Sequence, residues 1–179
     1  MDQPDSLIIG ATEGFSPGIG RLVAMMRYTR STTLRAVQGL TVAQLDHLHD
    51  GTSNSIGALL AHIASVELGY QRATFEGRGA SLPEHEAELT VAVHLGDPAR
   101  KEIRGHALAH YVGILEAVRA FTLDELARRD DTWLDTATTF GKGRQVNNHF
   151  MWFHVFEDEL NHRGQIRWLR NRLPENLNR

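Results

Sequence analysis

In and around His154–Gln165 the chain places a carboxylate and an imidazole on the same face as its apolar residues, and this limits the fold more than any other stretch. Wound as a helix with His154 at 0°, Asp158 falls at about 40° and His162 at about 80°, one turn apart. Met151, Val155, Ile166 and Leu169 fall between about 60° and 120°, whereas Arg163, Arg167 and Arg170 fall on the far side. Asp158 and His162 are therefore directed into a core. An isolated charge is costly there, and a bound cation would neutralise it.

The remaining helices follow from the same periodicity. Residues 1–16 are broken by Gly10, Gly14 and Pro17 and are expected to form a flexible leader. Ser16 and Pro17 open a helix in which Ile19, Leu22, Met26, Thr29 and Thr33 recur at spacings of three and four to about Gln38, where Gly39 ends it. Thr41 and Gln44 have the spacing of a capping box for one short turn. A second long helix is predicted from Ser55 to Phe75, with His62 inside its apolar stripe beside Leu59, Val66 and Tyr70. Residues 76–96 lack a sustained period and are expected to form a crossover loop. Asp97 and Pro98 signal a third helix running to Thr122, where a second capping box, Thr122 with Glu125, suggests a short extra helix. Residues 132–146 suggest a loop or short hairpin, Asn147 or Asn148 caps the fourth helix, and Pro174 marks its end. Four long helices without a clear strand indicate an all-α four-helix bundle in one domain, residues 17–179.

Composition narrows the function. With 19 basic and 22 acidic residues the net charge is −3, and without a concentrated basic surface a nucleic-acid partner is not expected. No run of about 18 apolar residues could span a bilayer, and the first residues lack a secretory signal, so a cytoplasmic protein with a small-molecule substrate is expected. Cysteine is absent. Disulfides and internal thiol chemistry are therefore excluded, and any thiol must come from outside. Phosphate-binding, dinucleotide-binding and serine-nucleophile motifs are also missing.

The spacing from Asp158 to His162 is common by itself, since 22 acids and 10 histidines would give it about once by chance. A lone inward histidine such as His62 is more often hydrogen-bonded to a carbonyl than bound to a metal. Three polar groups from two helices facing one core shift the balance, because bundles assemble divalent-metal sites in this way. The rival pair, His106 and His110, lies opposite its helix's apolar stripe and is expected in solvent, as are His47, His49, His85 and His94 in loops. His154, about 12 Å of helix rise from His162, cannot share one tetrahedral ion with it. It is assigned either to pocket lining or to a structural role, and Glu67 is either a partner of Arg163 or a surface acid.

The segments Leu59-Leu60-Ala61-His62 and Asp158 to His162-Arg163-Gly164-Gln165 together resemble the DinB/YfiT-like superfamily of metal-dependent enzymes. The superfamily includes mycothiol-dependent isomerases and bacillithiol S-transferases. The resemblance covers residues 17–174 and implies an up-down-down-up bundle, often a homodimer. It places a metal on His62, Asp158 and His162. Many members carry histidine at the position of Asp158, although the mycothiol-dependent isomerase branch has a carboxylate there. Zinc is the expected ion, and nickel, iron and manganese also suit such a donor set. The function implied is activation of an external low-molecular-weight thiol, as an S-transferase or thiol-dependent isomerase, with His154 and Gln165 as candidates to orient substrate or a ligand. A metal-dependent hydrolase and a non-catalytic metal or small-molecule binding stress-response protein are the alternatives.

Overall fold

A computed structural model describes residues 7–177. Residues 1–6 of the expected leader, with residues 178 and 179, lie outside the described residues. The helices in chain order are α1 (Pro17–Val37), α2 (Val42–Asp46), α3 (Ile56–Thr74), α4 (Glu86–Ala92), α5 (Gly96–Glu102), α6 (Leu108–Ala127), α7 (Asp131–Asp135) and α8 (Asn148–Arg170). A 3-10 turn at Pro83–His85 leads into α4, and a second lies at Glu175–Leu177. Between α7 and α8, β1 (Ala137–Phe140) pairs antiparallel with β2 (Arg144–Asn147), Ala137 opposite Asn147.

The four long helices are all-α bundle elements arranged in a ring: α1 touches α6 and α8, and α3 touches the same two from the opposite side. Side-chain pairings give their directions. Arg30 meets Glu159 and Arg170 meets Ala36, so α1 and α8 run parallel. Trp152 bonds Thr74 while His62 lies by His162, so α3 and α8 are antiparallel. Arg119 bonds Glu67 and Gln71 bonds Thr122, with α3 and α6 ascending together. Up-down-down-up is the only order that satisfies these pairs.

The helix starts show why these residues fold locally. Ser55 Oγ caps α3 at the Ala58 amide and Asn147 caps α8 at the Phe150 amide. Thr41 and Gln44 form the reciprocal box on α2. Ser16 instead donates to Asp131, whose carboxylate accepts from the Gly18 and Ile19 amides, so α1 is capped from α7. Gly57 matters because a Cβ there would lie 2.6 Å from the Tyr111 hydroxyl of α6.

Three expectations need correction. The supposed crossover loop at 76–96 contains the 3-10 turn and α4, which packs on α3 through Leu89 and Ala92. The helix begun near Asp97 is only α5, and α6 starts afresh at Leu108. Thr122 and Glu125 do not begin a helix, because the Thr122 hydroxyl donates to Glu67 and α6 continues to Ala127. Among the described residues no helix is long and apolar enough to cross a membrane.

Two apolar clusters fill the bundle. One gathers around α3 and α6 with Leu34 and Leu169, and the other joins the first half of α1 to Phe75, Leu126 and Trp152. On every long helix the border between them carries one buried charge: Arg30, Glu67, Arg119 and Glu159. Glu67 accepts from Arg119 Nε at 2.7 Å, Arg30 Nη2 at 3.0 Å and Thr122 at 2.7 Å. Glu159 accepts from Arg30 Nε at 2.9 Å. Neither expectation for Glu67 holds, since it is fully buried and Arg163 bonds Thr32. Two cations and two anions balance, and the quartet fixes the axial register of all four helices.

Candidate metal centre

One and a half turns before Glu67 on α3 lies His62, and adjoining Glu159 on α8 lies Asp158, so the quartet sets the level at which these two helices face each other. His62 Nδ1 is 2.8 Å from the Ala92 carbonyl. A carbonyl only accepts, so Nδ1 carries the proton and Nε2 presents its lone pair. That Nε2 lies 3.8 Å from Asp158 Oδ2, while His162 Nε2 lies 3.4 Å from Asp158 Oδ1. The two imidazole centroids are 4.6 Å apart. His162 Nδ1 donates to Gln165 Oε1 at 3.2 Å, which turns its Nε2 toward the carboxylate.

The donor atoms of His62, Asp158 and His162 all lie within 4.8 Å of one another. Ligands about 2.1 Å from a tetrahedral ion stand about 3.4 Å apart, so small side-chain adjustments would close the set. Asp158 Oδ2 is buried with no hydrogen-bond partner, an orphaned acceptor of the kind a cation satisfies. Two imidazoles and one carboxylate leave a position open for a further ligand. The electrostatics are uneven. Burial lowers the His62 pKa against the pull of the Ala92 carbonyl. At His162 burial opposes the charge, but the hydrogen bond and the charge of Asp158 outweigh it and raise the pKa.

Two walls flank the cluster. On one side, a cleft of about 620 Å³ is lined by Thr52, Ser53, Asn54, Asn161, Gln165 and Trp168. Gln165 therefore borders the cleft and braces His162. On the other side, burial and then the charges of Asp158 and Glu157 push the Tyr70 hydroxyl up to about 12. His154 stands apart from the three. Its Nδ1 bonds Glu157 at 2.8 Å, and its ring stacks on Phe150 and meets Tyr70 edge-on at 5.9 Å.

The sequence profile described as Mycothiol-S-transferase matches residues 21–174. The chain belongs to this family. A conserved protein from Enterococcus faecalis has a similar solved structure, with a TM-score of 0.69 at 17% identity, covering 84% of this chain and 94% of that one. This likeness concerns the fold alone. Comparison with curated proteins gives no match.

Several residues of the site escaped sequence reasoning. The Ala92 carbonyl carries no side-chain signal. Glu159, at about 140° on the α8 wheel, lies within reach of the apolar stripe and could have been found there. His85, Glu88 and His110 form a second group whose donor atoms lie within 4.8 Å of one another. His110 is half-buried and bonded to Glu88, and His106 precedes α6, so the expectation of a solvent-exposed helical pair is corrected.

Proposed function

We propose that the protein is a metal-dependent thiol S-transferase that uses an external low-molecular-weight thiol, mycothiol by family, and presents it to a small electrophile. The observation that carries this reading is the convergence of His62, Asp158 and His162 around an unpaired buried carboxylate oxygen in a chain with no cysteine. A divalent cation in that position supplies a Lewis acid that lowers the pKa of a thiol to the neutral range. Zinc suits the donor set, as do nickel, iron and manganese.

The chain's own residues do the rest. The Ala92 carbonyl holds His62 in the tautomer that offers Nε2, and Gln165 does the same for His162. Asp158 contributes the negative charge that offsets a cation. The neighbouring cleft combines hydroxyl and amide side chains with Leu59, Trp168 and Leu169, which suits a thiol bearing hydroxyl groups on a partly apolar frame. His154 and Tyr70, whose rings meet edge-on at 5.9 Å, are the side chains we assign to orienting the electrophile.

The test is turnover. Zinc-loaded protein given mycothiol and chlorodinitrobenzene is expected to form the thioether well above the uncatalysed rate. The His162→Ala variant, folded by circular dichroism, should lose at least about 100-fold of that rate. If loaded wild-type protein consumes thiol no faster than buffer across several electrophiles, the transferase reading is wrong.

A further inference from the structure

The second histidine–carboxylate group is assembled from separate parts of the chain. His85 ends the 3-10 turn, Glu88 lies in the first turn of α4, and His110 lies in the first turn of α6. His110 Nε2 is 2.8 Å from Glu88 Oε2, and the His85 and His110 rings meet edge-on with centroids 5.0 Å apart. His106 stacks flat on His110 at 3.9 Å and fixes that ring. Among the described residues, His110 is the one ion-pair partner of Glu88.

This group also carries unpaired acceptors. Glu88 Oε1 is buried without a hydrogen-bond partner, and so are the Tyr111 hydroxyl and Asp46 Oδ1. The Tyr111 ring lies beside the group, edge-on to His110 at 5.1 Å and to His106 at 6.0 Å. A buried carboxylate oxygen left without a donor beside two imidazoles is an acceptor that a cation satisfies.

We propose that His85, Glu88 and His110 form a second divalent-cation site, of the zinc class, distinct from the one at His62, Asp158 and His162. Its donors, two imidazoles and one carboxylate, match those of the first group in kind. A cation there joins α4 to α6. The same short helix carries Ala92, whose carbonyl orients His62, so the second site braces the element that positions the first.

The experiment is a zinc titration by calorimetry in the His62→Ala/His162→Ala background, which lacks the first site whatever its function. About one equivalent should bind with a dissociation constant of about 1 µM or tighter. Adding His110→Ala or Glu88→Gln should weaken this more than about 100-fold, whereas adding His106→Ala should leave the stoichiometry unchanged. Absence of binding in the parent background, or equal binding after Glu88→Gln, overturns the proposal. Should these variants fail to fold, wild-type crystals soaked in zinc give the same decision. An anomalous peak between His85, Glu88 and His110 supports the site, and a peak at the first group alone refutes it.

Discussion

Replacing Glu67 with glutamine tests the buried quartet that holds α3 and α8 in register. In the native protein its carboxylate accepts four hydrogen bonds, from Arg119 Nε at 2.7 Å, Arg119 Nη2 at 3.0 Å, Arg30 Nη2 at 3.0 Å and Thr122 Oγ1 at 2.7 Å. A glutamine oxygen can accept only about two of these, and its amide hydrogens then face other donors. The interior is also left with two guanidinium groups against one carboxylate. Breaking a buried pair from one side costs about 3–5 kcal/mol, a large share of a typical stability of about 5–15 kcal/mol. Urea unfolding with a slope of about 2 kcal/mol per M should therefore show the midpoint falling by about 2 M. The double variant Glu67→Met/Arg119→Met, which keeps the Arg30–Glu159 pair and restores neutrality, should recover most of that loss. A Gln variant within about 1 kcal/mol of wild type, or a double variant less stable than the single one, would refute the reasoning.

Other expectations follow from single contacts. The Glu67 pKa is lowered: burial acts to raise it, but the charges of Arg119 and Arg30 outweigh burial. Unfolded chains thus take up the proton first as pH falls through 4.5, so this stabilisation is full above that pH and drains below it. Urea midpoints from about pH 6 down to about pH 3 should drop more steeply for wild type than for Glu67→Gln, and parallel lines would contradict this. Gly57→Ala places a methyl against the Tyr111 hydroxyl and should cost about 1–3 kcal/mol by thermal unfolding. Asn147→Ala removes the α8 cap and should cost about 1 kcal/mol. Gln165→Ala should leave the fold intact and weaken zinc binding about 10–100-fold, read by competition with a chelator.

Long periodic segments with punctuated ends were legible in the sequence. Pro17, Gly39, Ser55 and Asn147 mark α1, α3 and α8 to within about two residues because each has a steric or capping role that acts locally. The same logic failed between 76 and 107, where α4 and α5 are too short for a period to emerge, α4 being held by packing on α3 and α5 by packing on α4. Thr122 shows the converse failure, since a capping residue within a helix was recruited by Glu67 from another helix. His62, Asp158 and His162 could be placed on inward faces because helical phase is a local property. Arg30 and Arg119 could not be placed as a buried pair, because an arginine in an apolar stripe acquires its partners only when other helices arrive. The group of His85, Glu88 and His110 was hidden for the same reason: its three members belong to three elements, two of which had been misplaced.

The most direct test of the account is where zinc sits in a crystal of the wild-type protein. Anomalous scattering is expected to place an ion about 2.0–2.2 Å from His62 Nε2, His162 Nε2 and an Asp158 oxygen. Full occupancy of crystals with zinc elsewhere and no density between these three side chains would contradict the account.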